Sequence, residues 1–205
     1  MPIIKFDSKL IFFVHIPKTG GASVETFFRK NKIKVHFWSA NMHIKNKFPC
    51  SPQHYHSNIY KNFFLSGFFD YEFTIVRHPV ERLKSEYRYR MAEIAKQKKT
   101  LIDFNEWINE IFYLYEKNKY ILDNHIRPQN QFIKKETKVF KFEHGLENII
   151  KCIASDINLN IEKIEVPHIN KREKFGVTCS LDTLEKIYVF YKEDFEYFDY
   201  LSLPL

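Results

Sequence analysis

The chain predicts an α/β fold with a central, mainly parallel sheet flanked by helices. Two runs, residues 10–16 and 72–76, are short and almost continuously apolar, each leads directly into a segment that opens a helix, and strand-like and helix-like segments keep alternating beyond them. One domain over residues 1–205 is expected. The composition, 44% hydrophobic and 17% aromatic, supplies a substantial core, and no Gly/Ser-rich or Pro-rich linker or internal repeat divides the chain.

Leu10-Ile11-Phe12-Phe13-Val14-His15-Ile16 is apolar apart from His15 and rich in branched and aromatic residues, as suits a strand buried on both faces. Pro17 ends its pairing, Gly20 and Gly21 allow backbone conformations closed to other residues, and Ser23-Val24-Glu25-Thr26-Phe27-Phe28 begins a helix. Residues 33–38 and 62–66 are possible further strands. Glu72-Phe73-Thr74-Ile75-Val76 reads as a second buried strand, with Arg77 at its end and Pro79 early in a helix that reaches about Ala95 and frays in Lys96-Gln97-Lys98-Lys99. A helix near 104–115, a strand near 138–142 and a helix near 146–157 continue the alternation. In the tail, Leu181, Leu184, Tyr188, Tyr191, Phe195 and Phe198 recur at spacings of three and four, one continuous helical stripe that reads as core packing.

The two strand–loop–helix units carry anion chemistry. Unpaired N–H groups and the positive dipole end where Pro17-Lys18-Thr19-Gly20-Gly21-Ala22-Ser23 enters its helix make a seat for phosphate or sulfate, and Lys18 adds a mobile cation. The order is not the G-x-x-x-x-G-K-S/T of nucleotide triphosphatases, because here the lysine precedes the glycines. Arg77 leaves the carboxyl edge of the sheet, where open α/β sheets bind ligands, and Ser85 follows about two helical turns later. If the two strands are parallel neighbours, both sites face one crevice, as two phosphates of one nucleotide would require. The plainer reading makes Arg77 and Arg82 ion-pair partners of Glu81 and Glu86.

Phe13 to Ser23 resembles the 5′-phosphosulfate loop of sulfotransferases that use 3′-phosphoadenosine 5′-phosphosulfate (PAPS). Ile75-Val76-Arg77-His78-Pro79, through Arg82, Ser85 and Tyr87, resembles their 3′-phosphate motif, and the nearest likeness is to heparan 2-O- and chondroitin-type carbohydrate sulfotransferases. Shorter matches follow in order at residues 123–129, 166–171 and 191–198. The resemblance implies a P-loop-like three-layer fold and a sulfuryl transfer from PAPS to a hydroxyl, a saccharide hydroxyl by the nearest relatives. It assigns Lys18, Thr19, Gly20, Gly21, Ala22 and Ser23 to the 5′-phosphosulfate, with Lys18 stabilising the leaving oxygen, and Arg77 with Ser85 to the 3′-phosphate. Gln53-His54-Tyr55-His56 is similar to the His-x-His element that carries the base, implying His56 in that role with His54 next. His125 and Arg127 would face the acceptor, His125 being also a contender for the base, and Lys171 lies in a basic loop expected to close over the nucleotide. Without the resemblance, the 51–58 histidines read as solvated side chains and residues 123–129 as a connection capped by Asp123 or Asn124.

Cys50, His54 and His56 offer three zinc ligands but no fourth at a recognisable spacing, and there is no carboxylate cluster, so metal-independent turnover is expected. The formal charge of +7 favours acidic ligands. A P-loop-type nucleotide or small-molecule kinase is the alternative, weakened by the loop order and by the lack of a strand ending in a metal-binding Asp. A basic nucleic-acid-binding protein is the third reading, but the chain has no helix-turn-helix, zinc-finger or RNP signature. Three cysteines without CxxC spacing point to reduced thiols. The longest apolar run is far short of the ~20 residues that span a bilayer, so a cytoplasmic, bacterial-type protein without the membrane anchor of eukaryotic relatives is expected.

Overall fold

The computed structural model describes residues 1–38, 48–161, 163–167, 169 and 176–200. Its strands are β1 (Ile3–Phe6), β2 (Lys9–Val14), β3 (Lys34–His36), β4 (Tyr71–Val76) and β5 (Lys138–Lys141). They form a five-stranded sheet of order β3-β1-β2-β4-β5. The α-helices are α1 (Gly21–Lys30), α2 (Ser57–Tyr60), α3 (Pro79–Lys96), α4 (Phe104–Lys117), α5 (Leu146–Asp156), α6 (Leu181–Phe190) and α7 (Lys192–Tyr197).

The expectation of a mainly parallel sheet holds for half of it. β2 pairs parallel with β4 and β4 with β5, whereas β1 runs antiparallel to both β2 and β3. The reason is local: β1 and β2 are joined by a tight turn at Asp7-Ser8, with Asp7 at φ 50°, and so short a link permits only an antiparallel neighbour. The parallel half is the half that matters for ligands, because the segments after β2 and β4 emerge side by side at one carboxyl edge.

Both faces of the sheet are covered. Ile11 and Phe13 of β2 and Phe73 and Ile75 of β4 pack with Val24, Phe27 and Phe28 of α1 and Ile149, Ile150 and Ile153 of α5. Phe12, Val14 and Val76 pack on the other side with Val80 and Leu83 of α3, Trp107 and Ile108 of α4, Ile187 of α6 and Phe195 of α7. This alternation within single strands explains why the two runs are apolar throughout.

Two expected elements differ. Residues 62–66 form no strand; they are turns after α2, with Phe63 58% and Leu65 84% exposed, while Phe64 meets the Phe12 ring at a tilt and Phe69 edge-on. Phe64 packs against the core at its edge and the run does not join the sheet. The tail stripe is broken at Tyr191, whose φ of −107° ends α6 and starts α7, and its first residue, Leu181, is 75% exposed. Tyr191, Phe195 and Phe198 are buried as expected.

Candidate active site

The segment after β2 folds into an anion seat. Lys18 and Gly20 take left-handed backbone conformations at φ 69° and φ 91°, and Gly20 is the N-cap of α1. The amides of Ser23 and Val24 turn back to the Gly20 carbonyl, leaving those of Gly21 and Ala22 at the helix mouth, where no intrahelical partner exists. Both glycines are sterically required. A Cβ on Gly20 would stand 3.0 Å from Leu146 and Phe142 side-chain atoms, and one on Gly21 would clash with the His15 ring at Nε2. The Thr19 hydroxyl donates to the Ile16 carbonyl at 2.8 Å, so its side chain shapes the loop from within. Ser23 Oγ accepts from the Ile169 amide at 3.2 Å, which ties Ile169 to the start of α1. Lys171 lies outside the described residues.

Arg77 reaches this loop from β4. Its guanidinium donates to the Lys18 carbonyl at 3.4 Å, lies 4.7 Å over the Phe142 ring and is 4.0 Å from Glu81. Burial pulls its pKa below the ordinary arginine value, with Glu81 and Glu143 opposing the shift. The backbone beneath it is locked, since the Gln129 side chain accepts from the Arg77 amide at 3.0 Å and donates to its carbonyl at 2.8 Å. Ser85 is half-buried on α3, one helical turn beyond Glu81. Arg82 is neither an ion-pair partner of Glu81 or Glu86 nor a ligand-facing group. It is 1% exposed and donates to the carbonyls of Pro17, His125 and Arg127 at 3.1, 2.8 and 2.9 Å, bracing the loop against the connection between α4 and β5.

Beside the loop stands a histidine cluster. The ring of His54 meets those of His15 and His125 edge-on, with centroids 5.2 and 4.9 Å away. His54 Nδ1 is 2.9 Å from Asp123 Oδ2, and Ser51 donates to the same carboxylate through its amide at 2.5 Å and its hydroxyl at 2.7 Å. Burial pushes His54 down to about 3, with the Asp123 bond opposing it, so the ring is neutral. Asp123 is pushed up by burial, but His54 and Ser51 outweigh this and hold it below the ordinary carboxylate value. His15 Nδ1 bonds Glu25, whose carboxylate also accepts from Gln53 Nε2 at 2.9 and 3.1 Å. His125 Nδ1 is 2.7 Å from Glu86.

His56 occupies the far side of the same turn. Tyr55 between them is extended (φ −64°, ψ 129°), which sends the two rings in opposite directions. His56 Nε2 is 3.3 Å from the Tyr120 hydroxyl, its Nδ1 is buried without a hydrogen-bond partner, and burial with the charges of Arg127 and Lys61 lowers it to about 4. Arg127, 6% exposed, spends its guanidinium on Asn124, Gln131 and the Lys119 carbonyl. The residues thus brought together are Lys18, Arg77, His54 and His125; His56 and Arg127 form a separate pair behind them.

A profile of the sulfotransferase family matches residues 2–201. The chain belongs to that family. No curated protein and no solved structure gives a significant match.

In this member of the family, Asp123, Glu86 and Glu25 are the carboxylates bonded to His54, His125 and His15, and Gln53 joins Glu25; none is announced by a motif that names its role. Asp123 stands in the segment 123–129 but reads there as a turn cap, and Glu86 reads as a helix-surface acid. Among the described residues, His54, Asp123 and His125 also bring one ligand atom each within 4.8 Å of one another, the one set with metal-holding geometry. Both imidazoles there already address a carboxylate through Nδ1. Among these residues no helix is long and apolar enough to cross a membrane.

Proposed function

We propose that the protein transfers the sulfuryl group of PAPS to a hydroxyl of an acceptor, with a saccharide as the acceptor class. The observation that carries this reading is the contact between Arg77 and the Lys18 carbonyl, which joins the 5′-phosphosulfate loop and the 3′-phosphate arginine in one crevice. A donor charged at both ends answers both cationic positions; a ligand with one phosphate leaves one of the two unanswered.

In this reading the amides of Gly21 and Ala22 hold the 5′-phosphosulfate at the positive end of α1, and Arg77 with Ser85 takes the 3′-phosphate. The acceptor oxygen attacks sulfur in line, and the bond from sulfur to the 5′-phosphate oxygen breaks. Negative charge grows on that oxygen, so the Lys18 ammonium stabilises the transition state more than the bound donor. The acceptor proton goes to His54 Nε2. Asp123, at Nδ1, fixes the tautomer that leaves Nε2 open and stabilises the imidazolium that forms, as a carboxylate does in other carboxylate–histidine pairs. This moves the base from His56, which the resemblance implies, to His54, whose contacts support it. Lys171 is proposed as a contact to the nucleotide, because Ile169, two residues before it, bonds Ser23 at the start of α1.

Thermal unfolding with adenosine 3′,5′-bisphosphate, ADP and ATP tests the reading. A ligand at 100 times its dissociation constant adds about 2.7 kcal/mol, which raises Tm by roughly 5–10 °C for a domain of this size. The bisphosphate is expected to give the largest shift, and Arg77→Ala to erase its advantage over ADP. An equal or larger shift with ATP and Mg²⁺ would make the protein a kinase instead.

A further inference from the structure

Glu86 has no part in the roles assigned above. It lies on α3 directly after Ser85, with its side chain 1% exposed. A buried carboxylate costs several kcal/mol unless partners compensate for it. Glu86 draws partners from separate parts of the chain. Its Oε1 accepts from Arg90 Nε at 2.6 Å, one turn along the same helix. Its Oε2 is 2.7 Å from His125 Nδ1 and 4.0 Å from Lys18 Nζ. Burial pushes Glu86 up, but His125, Arg90 and Lys18 outweigh it and bring it down to about 2, so it is a carboxylate at any working pH.

Arg90 alone would balance the charge from within α3. The second oxygen is therefore free to serve the site, and it stands between the lysine of the anion loop and the histidine beside His54. Lys18 is held from another side as well, with Nζ 4.4 Å from the Tyr89 ring centre. That aromatic face steadies the ammonium without a formal counter-charge.

Resting on the sulfotransferase reading of Lys18 and His125, we propose that Glu86 is a positioning residue for transfer. Its Oε2 holds His125 with the Nδ1 proton inward and Nε2 toward the acceptor, and it holds the Lys18 ammonium at the mouth of the loop. The two sides of the reaction then share one anchor. Donor binding draws Lys18 toward the phosphosulfate, and Oε2 is left to His125 alone, so a bound donor tightens the acceptor side.

Glu86→Gln tests this, with Arg90→Gln as its control, because the control removes the partner of Oε1 and leaves Oε2 in place. E86Q is expected to lower kcat 10- to 100-fold with donor KM changed less than threefold, whereas R90Q lowers Tm and keeps kcat within threefold. In ¹⁵N-histidine spectra, His125 carries its proton on Nδ1 in the wild type and loses that fixed tautomer in E86Q. If E86Q does not fold, Glu86→Asp, which keeps the charge but withdraws it by one methylene, is expected to fold and to lose kcat similarly. The proposal is overturned if E86Q keeps kcat within twofold, if E86Q and R90Q lose activity only in step with Tm, or if wild-type His125 is unprotonated at Nδ1. The bisphosphate shift measured on the same wild-type sample separates the failures. Its absence removes the sulfotransferase reading and the role in transfer with it; its presence beside a fully active E86Q removes only the role of Glu86.

Discussion

His54 and His56 are the same side chain two positions apart, and their surroundings give them different chemistry. His54 has a carboxylate at Nδ1 and two further imidazoles at its edge; His56 has a phenol and a buried nitrogen with no partner. His54→Asn is therefore expected to lower kcat by about 10²–10⁴-fold, the usual worth of a general base, and His56→Asn to cost far less activity; the reverse order in steady-state rates would return the base to His56. Both rings also set the acid limit of stability. Unfolded histidine protonates near 6.5, but folded His54 and His56 stay neutral down to about 3 and 4. As pH falls below 6.5 the unfolded chain takes up protons that the folded one refuses, so stability drops. Glu86, at about 2 when folded, adds its own loss only below its ordinary value of 4.5. Urea midpoints measured from pH 7 to pH 5 should fall steadily, and less steeply in His56→Asn; a flat profile would contradict the neutral buried rings. The His-x-His spacing was legible in the chain, but which ring faces the loop was not, because the deciding partner, Asp123, is far along the sequence from His54.

At the scale of elements, strand, loop and helix were readable twice over from apolar runs, Pro17, the glycine pair and Pro79. What fastens the two units together was not. Arg82 lies one helical turn from both His78 and Glu86, and on a helix that spacing reads as a surface ion pair. Its burial under α6 and α7 turns it into a donor for the Pro17, His125 and Arg127 carbonyls. The connection it braces is itself bent by consecutive left-handed residues, Leu122 (φ 52°), Asp123 (φ 61°) and Asn124 (φ 67°), a shape local sequence disfavours at Leu122 and only tertiary bonds maintain. Asp194 secures its far end by accepting the Gln129 and Asn130 amides, each at 2.8 Å. Arg82→Met keeps the bulk but leaves buried carbonyls unanswered, and with hydrogen bonds to charged groups worth about 1.5–3 kcal/mol each, a loss of about 3 kcal/mol or more in urea unfolding is expected. A change under 1 kcal/mol would mean that the brace holds nothing.

For the molecule as a whole, the sheet divides into a hairpin edge and a parallel half, and only the second was foreseen. β1 is four residues long and its turn lacks the Asn-Gly or Asp-Gly pair that marks hairpins in sequence, so nothing local distinguished it from a tail. The division has a functional consequence. The loop after β2, the start of α3 and the 121–132 connection are joined at the carboxyl edge by Arg77, Arg82 and Gln129, whereas residues 61–70 lie at the opposite, amino edge of β4. A ligand that grips the loop at one end and Arg77 at the other must therefore steady all three segments together, since none moves without straining bonds to the other two. Amide hydrogen exchange with saturating adenosine 3′,5′-bisphosphate should show slowed exchange at residues 17–24, 76–88 and 124–130 as one cooperative unit, with 61–70 unchanged. Protection confined to the loop after β2 would mean that the ligand engages one anion seat only, and the two-ended crevice would not be the donor site.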